Sequence, residues 1–345
     1  MRFFHKKNII FLSDKRKITN FADENKFPNR NYMINRELIR IKVVQLTYAY
    51  YQNGSNNIEL AEKELFFSLS KAYDLYNQLL TLIVAVTAEE RRRLDIVGQR
   101  AAREGREEPN QKFVLNRFAL QLQDNEQLLD FISQKGNGWT EQQDFVEKLT
   151  TLIENSQTYQ EYMLSEEDSY AADRELWRKI YRTMIEGNED LDQLLEEQSL
   201  YWNDDKAIVD TFVLKTIKRF EEKNGTRQEL LAEYNSNEEK EYARRLFRAA
   251  ILNADEYQRY MSNASHNWDI SRLAFMDMII MQIAIAEMMT FPSIPIHVTI
   301  NEYVELSKYY STPRSFGYIN GMLDAIAGQL TGSGKLLKPF KENKQ

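Results

Sequence analysis

Few side chains in this 345-residue chain could make or break a covalent bond. Cysteine is absent, which removes disulfides, thiolate zinc sites, iron–sulfur clusters and thiol nucleophiles together. The three histidines are His5, His266 and His297, and none stands in His-x-x-x-His or Glu-x-x-His spacing. Zincin and di-iron bundle sites therefore lack their imidazoles, and no metal or cofactor is expected. The remaining candidates act by attraction rather than by reaction. Arg36 and Arg40 are four residues apart and share one helical face. Arg314 stands one turn before Tyr318. Taken alone, such arginines read as solvated charge, and a tyrosine at helical spacing reads as core. Asn301 and Glu302 read as a helix cap or a bridge between helices.

The elements that must carry these residues are helices. Gly occurs 12 times and Pro 6 times, and no proline lies between Pro109 and Pro292. A stretch that long without a breaker suits helices and not many short strands. The spacing of Ile41, Val44, Tyr48 and Tyr51 predicts a helix with a core stripe, capped by Asn35 and stopped at Asn53-Gly54. A second helix is predicted over about 58–86, and the charged segment 89–112 reads as a helix end or linker. Further helices are predicted over about 110–134 (Phe118, Leu122, Leu129), from Thr140 through a Thr140-x-x-Gln143 capping box, around Trp177 to Met184 and around Ile208 to Phe220. One more is expected over about 238–261. The run from Ile270 to Met289 is apolar nearly all round and should form a central buried helix. Gln282 and Glu287 make it too polar to span a membrane. Thr312-Pro313 reads as the start of a last helix whose buried stripe is Phe316, Ile319, Leu323 and Ile326. Gly321 inside it suggests the close approach of a neighbouring helix.

Charge is unevenly placed. Residues 1–33 hold eight Lys/Arg against three Asp/Glu, and residues 306–345 hold six against two. Residues 160–205 hold four against fourteen. Basic ends permit contact with phosphates although the net charge is −7. The opening MRFFHKKNIIFLSDKRK has an apolar patch of only about four residues, too short for a secretory signal. A cytoplasmic location is expected.

The final third carries a resemblance. A buried helix over Arg272–Glu287, a turn at Pro295, Ile300-Asn301-Glu302 and then Tyr318-Ile319-Asn320-Gly321-Met322-Leu323-Asp324 stand in that order. Arg40, Val44-Gln45 and Tyr48 precede them, and Glu241 to Tyr260 lies between. This order resembles the NusB family of transcription antitermination factors over about 33–86 and 238–330. The resemblance implies an all-α fold of two small helical bundles, with a helical insertion between the second and third helices. The expected layout is a disordered basic arm over 1–32, the first two helices over 33–88, the insertion over 89–236, the third helix and C-terminal bundle over 237–331, and a basic tail over 332–345. It also implies binding of single-stranded boxA-type leader RNA together with the ribosomal protein NusE, at the transcription elongation complex, without catalysis. On that reading Arg36, Arg40, Arg314 and Tyr318 become the RNA-binding candidates, since single strands are held by cations on phosphates and aromatics under bases. Arg314 departs from the family pattern, which often has an acidic residue there. The alternative is a helical interaction scaffold, dominated by its acidic insertion, that has lost RNA binding.

Overall fold

The computed structural model describes residues 31–202, 204–265 and 273–336. The arm expected over 1–32 lies outside the described residues up to residue 30, and the tail does so from residue 337. Among the described residues the fold is all-α. The sole extended pairing there is a parallel bridge between Tyr32 and Ala232. The chain divides into two compact units. Of the described residues, the first holds those within 34–70 and 233–336, and the second holds those within 31–33 and 71–232. The boundaries thus fall at 70/71 and 232/233, whereas the sequence reading placed them at 88/89 and 236/237.

The first unit opens with α1 (Arg36–Gln52). Asn35 caps it, its side-chain oxygen accepting from the Leu38 N–H at 2.9 Å. Gly54 ends it at φ +59°, a left-handed conformation that a side chain would strain. Next comes α2 (Ile58–Glu104), whose first turns belong to this unit and whose remainder belongs to the second. This helix runs well past residue 86 and absorbs most of the expected linker. No proline interrupts it, and it stops only where Gly105 adopts φ +66°.

The second unit continues with α3 (Arg117–Gln123) and α4 (Glu126–Lys135). The sequence suggested one helix here. It breaks at Asn125, whose side-chain oxygen caps α4 through the Leu128 N–H at 3.1 Å while its amide donates to the Gln228 carbonyl at 2.7 Å. Leu129, expected in the core, is exposed. Helix α5 (Gln143–Glu154) starts three residues after Thr140, without the expected capping box. The Gln143 side chain donates to Glu89 instead, at 3.0 Å. Then follow α6 (Gln157–Leu164), α7 (Tyr170–Ile180), a π-turn at Tyr181–Ile185, α8 (Glu189–Gln198) and α9 (Lys206–Arg219). Ser156, Ser169 and Asn188 cap three of these helices with their side chains. Phe118, Trp177, Tyr181 and Phe220 are fully buried and form this unit's own core.

The chain returns to the first unit through α10 (Asn237–Leu252), which begins at a capping box of Ser236 and Glu239. Asn253 separates it from α11 (Ala254–Ala264), so the single helix expected over 238–261 is two. Helix α12 (Phe275–Thr290) is buried along most of its length, as its all-round apolar sequence requires. Around it lie α13 (Ile296–Tyr310) and α14 (Ser315–Gly332). Helix α14 starts at Ser315 and not at Pro313. The Thr312 hydroxyl is hydrogen-bonded to the Ser315 hydroxyl at 2.7 Å, and the Thr312 carbonyl accepts from the Ser315 N–H at 2.9 Å. Gly321 is not explained by a close neighbour, because a Cβ built there meets nothing within 4 Å.

Candidate nucleic-acid interface

Within the first unit, α1 lies antiparallel along α12. The pairs that show this are Arg40 with Glu287, Tyr51 with Gln282 (2.9 Å) and Tyr48 with Phe275. The four sequence candidates therefore fall near opposite ends of α12, roughly 20 Å apart at 1.5 Å per helical residue.

At one end Arg36 is exposed and Arg40 is not. The Arg36 guanidinium sits 5.1 Å from the centre of the Tyr242 ring. Arg40 is 5% exposed, and its Nε and Nη2 donate to the two Glu287 oxygens at 2.8 and 3.0 Å. Its Nη1 donates to Glu302 at 3.1 Å. The shared face expected for the two arginines is thus divided. One turn of helix turns Arg40 inward, where Glu287 on buried α12 requires a cation. Its guanidinium is engaged on both edges and is not open to a phosphate. Glu302, read as a cap or bridge, bridges α13 to α1 through Arg40.

Glu287 itself is fully buried. Besides Arg40 it accepts from the Thr299 hydroxyl at 2.8 Å, the Tyr303 hydroxyl at 3.1 Å and the Tyr242 hydroxyl. Burial pushes its pKa up, but the Arg40 charge and these donors outweigh that and hold it below the usual carboxylate range. Burial and the Glu287 charge in turn keep Tyr242 and Tyr303 protonated, with pKa values well above the ordinary phenol range. One carboxylate thereby ties α1, α10, α12 and α13 together.

At the other end Arg314 is exposed immediately before α14, and Tyr318 is half-buried. Burial, with the nearby Asp277 charge, raises the Tyr318 pKa. Asp277 accepts from the Ser315 hydroxyl at 2.8 Å and from the Ser311 hydroxyl, which fixes the start of α14 against α12. Three aromatic groups expected in the core are exposed or only partly covered here. Phe316 is 44% exposed, with the Lys308 ammonium 5.8 Å from its ring centre. Tyr48 and Tyr51 are half-buried, and their rings contact Phe275, which is 38% exposed, at 5.6 and 6.3 Å. Phe275 and Lys308 were not among the sequence candidates. Phe275 lies in an apolar run whose period does not show which of its ends is covered. The result is an exposed cation at one end of the helix pair and, at the other, partly exposed aromatics with Arg314 and with Lys308, which is paired with Glu305. That arrangement can hold phosphates and stack bases. Among the described residues, no cluster of three or more histidine or carboxylate side chains that could hold a metal ion is present. No described helix is long and apolar enough to cross a membrane.

A family model described as the NusB family matches residues 209–328. That stretch begins in α9, contains α10 to α13 and most of α14, and leaves α1 outside. The transcription antitermination protein NusB of Natranaerobius thermophilus is 46% identical over 78 residues, 23% of this chain and 56% of that protein. The protein of the same name from Salinibacter ruber is 34% identical over 99 residues, 29% of this chain and 62% of that one. The one from Geotalea daltonii is 34% identical over 134 residues, 39% of this chain and 89% of that protein. The chain thus spans little more than half the length of the first relative and about three fifths of the second. No solved structure matches it.

Proposed function

Since this chain belongs to the NusB family, we propose that it binds single-stranded boxA-type leader RNA together with ribosomal protein NusE and acts as an antitermination factor at the transcription elongation complex. The observation that carries the reading is Arg36. It is exposed at the start of α1, and no carboxylate among the described residues pairs with it. Arg314 supplies a second cation, and Tyr318 with Phe275 and Phe316 supplies stacking surface. Arg40 acts from beneath, holding α1 in place through Glu287. The reading is of a binding protein and not of an enzyme. The supporting experiment measures affinity for a boxA-type RNA with and without the NusE-type protein over a range of salt. Affinity that falls as salt rises, and that the protein partner enhances, supports the reading, because phosphate contacts release counterions.

A second reading draws on the acidic run at 160–205 and on the engagement of Arg40 by two carboxylates. It is an interaction scaffold without RNA binding. Salt-independent or absent RNA affinity, with the protein partner still bound, would favour it.

A further inference from the structure

Among the described residues, the proposed RNA face, on which this inference rests, has one cation without a carboxylate partner near the start of α1, Arg36. The packing around that cation brings a second one to it. The Tyr242 ring has Arg36 5.1 Å from its centre and the Phe291 ring at 4.7 Å. The Arg245 guanidinium in turn sits 4.9 Å from the centre of the Phe291 ring. Two exposed arginines, one from α1 and one from α10, thus flank a single aromatic pair.

The other arginines of α10 are differently placed. Arg244 and Arg248 both pair with Glu62, and Arg244 also holds Glu241, the neighbouring carboxylate on α10. Arg245 donates from Nη2 to the Thr290 carbonyl at 3.0 Å, at the end of α12. That bond uses one of its five N–H groups and fixes the plane of the guanidinium. Among the described residues no carboxylate pairs with Arg36 or with Arg245. A guanidinium already oriented by a ring and a carbonyl loses little side-chain freedom when it takes up a phosphate oxygen.

We propose that Arg245 is a second phosphate-binding residue, paired with Arg36 across Tyr242 and Phe291, so that the bound strand continues from α1 onto α10. The test uses the full chain with two single-stranded RNAs of equal length, a boxA-type oligonucleotide and an oligouridine, titrated at several salt concentrations. Arg245→Gln should reduce the slope of log affinity against log salt by about 0.7, as should Arg36→Gln, and the double variant by about twice that. Both RNAs should weaken alike, since phosphate contacts carry no sequence information. Arg245→Lys, which keeps the charge, should retain most of the slope. A melting temperature measured on each variant separates this role from a structural one. If Arg245→Gln lowers the melting temperature and leaves the slope unchanged, Arg245 only ties α10 to the end of α12 and the proposal is overturned. If Arg36→Gln alone changes the slope, the α1 face stands and its extension onto α10 does not. If the unaltered chain shows no salt-dependent RNA binding, the proposed function and this inference both fail.

Discussion

Arg40 and Arg36 differ by one helical turn and should respond very differently to the same substitution. Arg40→Ala strips a fully buried carboxylate of its cation, and breaking such a pair costs about 3–5 kcal/mol. Arg36→Ala removes an exposed side chain and should change stability by no more than about 0.5 kcal/mol. Denaturant unfolding of both variants checks the contrast. Equal stabilities would mean that both arginines are solvated charges on one face. Glu287 adds a pH dependence. Its carboxyl is held below the usual range in the folded chain, so its contribution is complete above the ordinary carboxylate pKa of 4.5. That contribution disappears as pH falls through the lower, folded value. Unfolding curves recorded from pH 6 downward should show an acid-induced loss that Glu287→Gln, already weakened, shows less of.

Among the elements, α2 in the second unit carries a carboxyl of the opposite kind. Glu90 is buried, its Oε1 accepts from the Tyr159 hydroxyl at 3.1 Å, and its other oxygen has no partner among the described residues. Burial, followed by the neighbouring Glu154 carboxyl, raises its pKa to about 8, while the Tyr159 hydroxyl and the Arg93 charge work in the other direction. Because the folded form keeps the proton longer, stability should decline as pH rises from about 4.5 towards 8. Glu90→Gln mimics the protonated group and should flatten that decline in thermal melts. A different test applies to α14. Gly321 has an ordinary helical backbone and open space around it, so Gly321→Ala should stabilise the chain by about 0.4–1 kcal/mol. A loss of stability would mean that the space is needed.

Across the molecule, the second unit has its own buried core, and its two ends meet within it. The Tyr73 hydroxyl donates to the Leu231 carbonyl at 3.2 Å, and the Tyr76 hydroxyl accepts from the Leu231 N–H at 3.1 Å. In the first unit, Glu62 near the start of α2 binds Arg244 and Arg248 of α10, so these two helices are neighbours although more than 130 residues separate them along the chain. An inserted unit whose ends lie close together can be removed with little disturbance to its host. A variant in which residue 70 is joined to residue 233 by a short flexible linker should stay helical and unfold cooperatively by circular dichroism. It should also bind RNA at least as well as the full chain, since the acidic run at 160–205 is gone. An unfolded product would show that the two units share one folding unit.

The sequence by itself determined the helical class, the capping of α1 by Asn35 and the burial of α12. It also supplied the family resemblance in the last hundred residues. These are local or nearly local properties: breaker residues are rare, a cap is decided within one turn, and a helix apolar on every side has to be covered. Only the tertiary structure decided which side of each amphipathic helix faces inward at its margins. Arg40 went inside because Glu287, 247 residues away, needed a cation. Phe316 stayed exposed and Tyr48 and Tyr51 only half-buried because the rings and helices near them cover only part of their surface. The unit boundary fell inside α2, since an uninterrupted helix can pass from one core to another with no mark in its own sequence. Arg245 was indistinguishable from Arg244 and Arg248 in the sequence, because what separates them is the partner each one meets, Phe291 or Glu62, and that partner is brought there by the fold.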